Sequence, residues 1–518
     1  MDQLLLITET KLLILCIISI IIFINFLKHK KTEKQNAKAA LGIFINFIIS
    51  ICLLYYLKDF FNISHLFTTV SILFSSISIL ILKIFKVYKK EHGILFTFII
   101  IASVSLGYIS YTPYWARQHD SRDFHNYSNG GHFGYISYIY HNNQLPTESP
   151  KEYWCFYNPP LFYIISALFM KIYTLFNNVI EAGLENLQIF SFFYALTFEI
   201  YVYKILKEMN IKKSLIPIML FIGLSPAVLI LSGSLNNDIL SIMLSAMSIY
   251  YTIIWYKTDT LKDLIKIALT ISLAMMTKIS SALIAVAIAC AFLSKVIKNR
   301  KDIKRYIIHF SIFALISLPI GLWFPIRNLI KYDMPLTYVQ SVDESNDANI
   351  SKYSILERFI NINPSHLNSI NIDMSRENAE YNLYTTTLKS YIIDEHIDYE
   401  EKGITKFVVH FMFYMSIITT LLYLINIINI IIKHKEIENK WIYFFGLLLI
   451  LQIISYLKFC FDFPFTFTMN FRYIVPTLIS FGVFMGISSD KNNNLCLLNN
   501  VCLTFFSILS IIMFTNII

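Results

Sequence analysis

Charge is scarce in this chain. Asp, Glu, Lys and Arg make up 15% of its 518 residues against 56% hydrophobic ones, and residues 94–110 carry no charge at all. With a mean hydropathy of +0.57, this excludes an ordinary soluble globular protein. Other absences narrow the choice. Basic residues follow the first apolar run ("KHKKTEK") instead of preceding it, and no small-residue cleavage site is evident. The run at 4–27 is therefore expected to stay as a membrane span with its N-terminus outside. No internal repeat, heptad or long low-complexity segment appears beyond "KNNNLCLLNN", which argues against the inverted-repeat plan of many transporters. Seven cysteines are few for this length. Cys155 and Cys460 fall in loops, where free thiols are the expectation.

What is present in quantity is apolar helix. Runs near twenty residues, the length that crosses about 30 Å of hydrocarbon, predict an all-α integral membrane protein with about 14 transmembrane helices. They lie near 4–27, 39–57, 65–82, 92–111, 186–203, 214–231, 238–256, 267–276 extended backwards, 279–294, 306–326, 406–432, 441–457, 473–489 and 497–517. The net charge of +9 does not mark a nucleic-acid binder, because the basic residues sit in short connectors: Lys28, Lys30, Lys31 and Lys34; Lys83, Lys86, Lys89 and Lys90; Lys204, Lys207, Lys212 and Lys213; Lys295, Lys298, Arg300, Lys301, Lys304 and Arg305. These connectors are expected on the cytoplasmic side. Keeping them on one side requires "NPPLFYIISALFMKIYTLF", residues 158–176, not to cross, and Pro159 and Pro160 suit a broken or interfacial segment. The chain then divides into N-terminal helices (1–111), a first outer loop (112–185), central helices (186–326), a second outer loop (327–405) and C-terminal helices (406–518).

Against this background "QHDSRDFHNYSNGGHFGY", residues 118–135, stands out: three histidines, two aspartates and two adjacent glycines directly after the uncharged run. A carboxylate at a helix exit, Asp120 before Asp123, is placed to act as a general base, with His132 hydrogen-bonding beside it. The alternative is a merely solvated helix end. His119, His125 and His132 with the two aspartates carry enough imidazole and carboxylate for a transition metal, but their spacing matches no standard zinc pattern. No metal is assigned to them, and a divalent cation stays open as the one cofactor to consider.

Further polar residues mark the outer ends of predicted spans. "SGSLNND" supplies Asn236, Asn237 and Asp238, "MMTKIS" supplies Lys278, "PIRN" supplies Arg327, and "TMNFRYIVP" supplies Arg472. Ionisable groups at a membrane edge are costly unless paired or working. Cations converging with a carboxylate at one depth suggest a site for an anionic, lipid-anchored substrate.

These stretches, in order, resemble the GT-C class of polytopic membrane glycosyltransferases, which includes protein O-mannosyltransferases and the aminoarabinose transferases of lipid A, and most of all its bacterial family 39-type branch. The resemblance runs from about residue 90 to 490 through "QHD", "GHFGYISYIYHNNQLP", "WCFYNPPLFYIISA", "SGSLNNDILS", "MMTKIS", "WFPIRNLIKYDMPLTYV", "YNLYTTTLKSYIIDE" and "FTMNFRYIVPT". Two departures accompany it. Members of the class commonly carry Asp-Glu in the first outer loop, whereas Ser121 follows Asp120 here, so the base is Asp120 or Asp123. Three of the spans before that loop are also extra, since in the usual layout the loop follows the first span.

The resemblance implies a GT-C-like bundle with two large extracytoplasmic loops, in the cell membrane, moving a sugar from a polyprenyl-phosphate donor to an acceptor at the outer face. It implies Asp120, Asp123 and His132 as catalytic candidates, with His119, Asn158, Asn237, Asp238, Lys278, Arg327, Arg472 and Tyr473 as substrate contacts. The implied partners are the lipid-linked donor and membrane lipids, with no nucleic acid. The acceptor, whether lipid, polysaccharide or protein, is left open. The competing class is a polytopic transporter or lipid-linked sugar flippase.

Overall fold

Within hydrocarbon every backbone N–H and C=O must be paired inside its own segment, so a chain this apolar builds helices. The computed structural model describes residues 34–58, 63–397, 399, 402–433 and 441–516. The described residues form helices and no strand, apart from one isolated bridge between Asn349 and Phe465. In chain order the helices are α1 (Lys34–Leu57), α2 (Ile63–Ile84), α3 (Lys90–Tyr111), α4 (Gly131–Asn142), α5 (Leu161–Thr174), α6 (Ile180–Glu208), α7 (Leu215–Gly223), α8 (Pro226–Gly233), α9 (Asp238–Thr258), α10 (Leu261–Met275), α11 (Ala282–Lys298), α12 (Ile303–Tyr332), α13 (Ile355–Ile360), α14 (Leu383–Ile392), α15 (Gly403–Ile432), α16 (Trp441–Asp462), α17 (Thr477–Lys491) and α18 (Asn493–Asn516).

Among the described residues ten helices are long and apolar enough to cross a membrane: α1, α2, α3, α6, α9, α11, α12, α15, α16 and α18. The chain is thus an all-α membrane protein, but the span count departs from the expected fourteen. The expected span at 4–27 lies outside the described residues. The run at 214–231 is not one straight helix but the pair α7 and α8, bent by 48°. Pro226 begins α8; it has no N–H to give the ladder and pushes Ser225 out of helical geometry. The runs at 267–276 and 473–489 fold as α10 and α17, each 15 residues and so about 22 Å long at 1.5 Å per residue, short of the full hydrocarbon thickness.

The main apolar core joins α3, the α6–α11 group and α15–α18. Helices α1 and α2 lie outside it, with α2 packed on α3 and Thr68 Oγ1 donating to the Ser103 carbonyl. A separate cluster holds α4 and α5 against α6, α9 and α10. With 14 residues, α5 is too short to cross, which suits the expectation for 158–176.

The two ends of the bundle differ. At one end the basic connectors meet carboxylates: Lys257 pairs with Glu208 at 2.5 Å, Arg305 pairs with Asp259, and the Lys212 and Lys213 N–H groups donate to Asp490 at 2.9 and 2.8 Å. At the other end the two long loops are joined. Arg327 donates to the Pro146 carbonyl at 2.7 Å, Tyr332 to Thr147 at 2.6 Å, and Gln340 to Lys151 at 3.3 Å. The second loop is pinned internally by the wholly buried pair Lys389 and Glu380, with Lys389 also donating to the His366 carbonyl at 2.5 Å.

Candidate active site

The Gly-Gly pair explains how residues 118–135 are held. A helix begins with N–H groups that lack intrahelical partners, and α4 directs its first ones at Trp154, in the segment that follows it, and at residues 120–121 of the loop before it. Gly131 N donates to Trp154 O at 2.8 Å, His132 N to Asp120 O at 2.7 Å and Phe133 N to Ser121 O at 2.9 Å. So close an approach leaves no room for a side chain: a Cβ on Gly131 would stand 2.6 Å from Asp120 O, and one on Gly130 2.6 Å from Trp154 N. Both glycines also have positive φ, 70° and 78°. Asp120 itself sits at φ 52°, a left-handed conformation that Asp tolerates better than most residues. On the other side Gln118 donates to Gly233 O at 3.1 Å and accepts from Leu235 N at 2.8 Å, fastening the loop to the α8–α9 junction.

That junction brings the next charges in. Asn237 Nδ2 donates to Thr277 O at 2.9 Å, which places the start of α9 beside the end of α10 and lets Lys278 pair with Asp238. Arg472, nine-tenths buried, lies between Asp238 (3.6 Å) and Asp120 (3.7 Å). These separations are longer than hydrogen bonds. Its Nη2 donates to the Tyr473 hydroxyl at 2.9 Å, whereas its buried Nε has no partner among the described residues. Lys278 and Arg472 both stand over the Tyr473 ring, at 5.1 and 4.8 Å. Asp120 Oδ1 accepts from Trp154 Nε1 at 2.8 Å. Burial would push the Asp120 carboxyl up, but Arg472, His132, His119 and the indole N–H outweigh it and hold it below the usual carboxylate range. His132, stacked on Tyr163 and 2.8 Å from its hydroxyl, is pushed down to about 4 by burial, against the pull of Asp120 and Asp238.

A second group adjoins the first through His119. Its Nε2 meets Asp394 Oδ2 at 2.7 Å and its Nδ1 lies 2.9 Å from Glu395 Oε1. Asn470 Nδ2 donates to Asp394 at 2.7 Å and to Glu395 at 3.0 Å. The His396 ring packs edge-on against His119 at 4.6 Å. Burial and Arg472 disfavour the charged imidazole, but the two carboxylates prevail and hold His119 up at about 9. Asp394, like Asp120, has positive φ, 61°.

The structure thus brings together Asp120, His119, His132, Asp238, Lys278, Arg472 and Tyr473, with Asn237 as a scaffold. It places others apart. Asp123 accepts from the His125 N–H at 2.9 Å in a local turn, and His125 faces Glu181 at 3.2 Å on the surface. Arg327 bonds to Asn328, Pro146 and Tyr332 instead of joining the carboxylates. Asn158 donates to Cys155 O at 3.0 Å. Cys155 and Cys460 are both free and buried. Sequence reasoning passed over Trp154, Asp394, Glu395, His396 and Asn470. The acidic pair in "YIIDEH" was the available signal, since Asp-Glu is missing from the first loop.

Residues 158–323 match the family described as dolichyl-phosphate-mannose-protein mannosyltransferase, which is of the GT-C type. The match takes in Asn237, Asp238 and Lys278 and leaves Asp120, Asp394 and Arg472 outside. No curated protein matches the chain.

Proposed function

We propose that this chain, in which residues 158–323 match a GT-C-type family, is a membrane glycosyltransferase that transfers a sugar from a polyprenyl-phosphate donor to an acceptor hydroxyl or amine at the outer face of the membrane. One observation carries the reading: a buried guanidinium lies between two carboxylates at distances too long for hydrogen bonds, with Nε unspent. A group so placed keeps donors for an incoming anion, and planar Arg suits phosphate oxygens. Lys278 is the second cation. In the reaction the acceptor's lone pair bonds to the anomeric carbon, and the bond from that carbon to the phosphate oxygen breaks with its electrons leaving on phosphate. Asp120, already ionised, takes the acceptor's proton, while Arg472 and Lys278 meet the developing phosphate charge.

The bent α7–α8 pair is the feature a transporter would share, but the charges gather around Asp238, with Lys278, Arg472 and Asp120, and not at the break at 224–225. The test is radiolabelled sugar transfer in proteoliposomes supplied with a polyprenyl-phosphate sugar and the extracted envelope acceptors. Label appearing on an acceptor supports the reading. Movement of the donor between leaflets with no transfer overturns it in favour of a flippase.

A further inference from the structure

We propose that His119, Glu395 and His396 bind a divalent transition-metal ion, zinc by preference, that ties the two long loops together beside Asp120. The inference does not depend on the identity of the donor. One ligand atom from each of the three residues lies within 4.8 Å of the others, and Glu395 Oε1 stands 2.9 Å from His119 Nδ1 and 3.8 Å from His396 Nε2. Ligands bonded at about 2.0–2.2 Å to one ion stand about 2.9–3.4 Å apart for right-angled to tetrahedral arrangements. The first separation meets that range and the second exceeds it, a gap that a turn of the half-exposed His396 ring would close.

The decisive atom is His119 Nδ1. It is buried and makes no hydrogen bond among the described residues, although Glu395 Oε1 is only 2.9 Å away. The carboxylate is therefore close but off the line that an N–H would need. Two ligands sharing an edge of one coordination sphere have this relation: with bonds of about 2.1 Å, the second stands about 45° off the lone-pair axis of the first. The surrounding shell also fits. Nε2 of His119 is bonded to Asp394 at 2.7 Å, the carboxylate–histidine–metal arrangement that fixes the tautomer and leaves Nδ1 for the ion. Asn470 holds both Asp394 and the second oxygen of Glu395. His396, half-exposed, leaves the fourth position open toward solvent. Two imidazoles and a carboxylate are ligands for zinc and its first-row neighbours and not for magnesium or calcium. The second grouping, Asp120 with His132 and Cys155, is weaker, because Trp154 and Tyr163 already occupy Asp120 and His132.

The test uses the full chain, purified in detergent without a histidine tag, equilibrated with zinc and freed of loosely held ions. Elemental analysis should find stoichiometric zinc, and cobalt in its place should give d–d absorption. His396→Ala and Glu395→Gln should lose the ion while remaining monodisperse, and Asn470→Ala should weaken it about 10–100-fold. His125→Ala, on the exposed side of the first loop, should keep it. These variants avoid His119, whose replacement risks misfolding. The proposal is overturned if the wild-type chain retains no ion, in which case His119 is simply a protonated ring between two carboxylates. It is equally overturned if the His396→Ala, Glu395→Gln double variant holds as much zinc as the wild type.

Discussion

Asp120 is the base in the proposed reaction, and its neighbours decide what a substitution there should do. Asp120→Asn keeps an acceptor for the Trp154 indole N–H but cannot take a proton. Sugar transfer in proteoliposomes should fall roughly 10²- to 10⁴-fold, while the amount of folded protein stays close to wild type. Asp123→Asn should leave transfer nearly unchanged, because that side chain only closes a surface turn. The reverse ranking would move the base to Asp123. His132 offers a prediction about stability. Burial lowers its folded pKa to about 4 from an unperturbed value of about 6.5, so between those values the unfolded chain binds the extra proton. Stability from this group is fully present above pH ~6.5 and is lost as pH falls toward ~4. His132→Gln should flatten that part of the midpoint-versus-pH curve in thermal unfolding, and an unchanged slope would show that another group titrates there.

Among the elements, α14 in the second loop is the one whose placement rests on a buried charge. Lys389 on this helix and Glu380 just before it are both out of contact with solvent. Removing one partner strands the other. Lys389→Ala should destabilise the chain by about 3–5 kcal/mol and release the 394–396 segment that follows α14. Replacing both partners with apolar residues of similar size should recover most of that loss. Calorimetry of the single and double variants checks this, and a double variant no better than the single would show that the pair does more than neutralise itself. At the α4 start the constraint is steric instead, and it tolerates only glycine: a Cβ there would meet the Asp120 carbonyl, a backbone atom that cannot yield as a flexible side chain would.

For the whole molecule, the two ends of the bundle carry opposite tasks. Basic connectors and their carboxylates gather at one end, the long loops and the charge cluster at the other. With the basic end expected inside the cell, single cysteines placed at Lys151 and Lys207 in a cysteine-free background should be labelled from opposite sides of intact cells. Labelling of both from outside would require 158–176 to cross, which the 14-residue α5 is too short to do.

Local chemistry along the chain determined the membrane class, most of the long helices and the existence of a polar site at helix ends, because each depends on runs of neighbouring residues: twenty apolar positions in a row, a basic connector, a Gly-Gly pair. It also nominated Asp120, Asp238, Lys278 and Arg472. Folding decided which of the nominated residues meet. Arg327 and Arg472 look alike in sequence, each a cation at the end of an apolar run, yet one is spent on the Pro146 carbonyl and the other lies between two carboxylates. Spacing within "QHDSRDFHNYSNGGH" shows no metal pattern, because the partners of His119 stand some 275 residues away in Asp394 and the residues after it. Side chains that distant in sequence come within 3 Å only when two loops close over the ends of the helices, and no local pattern encodes that distance.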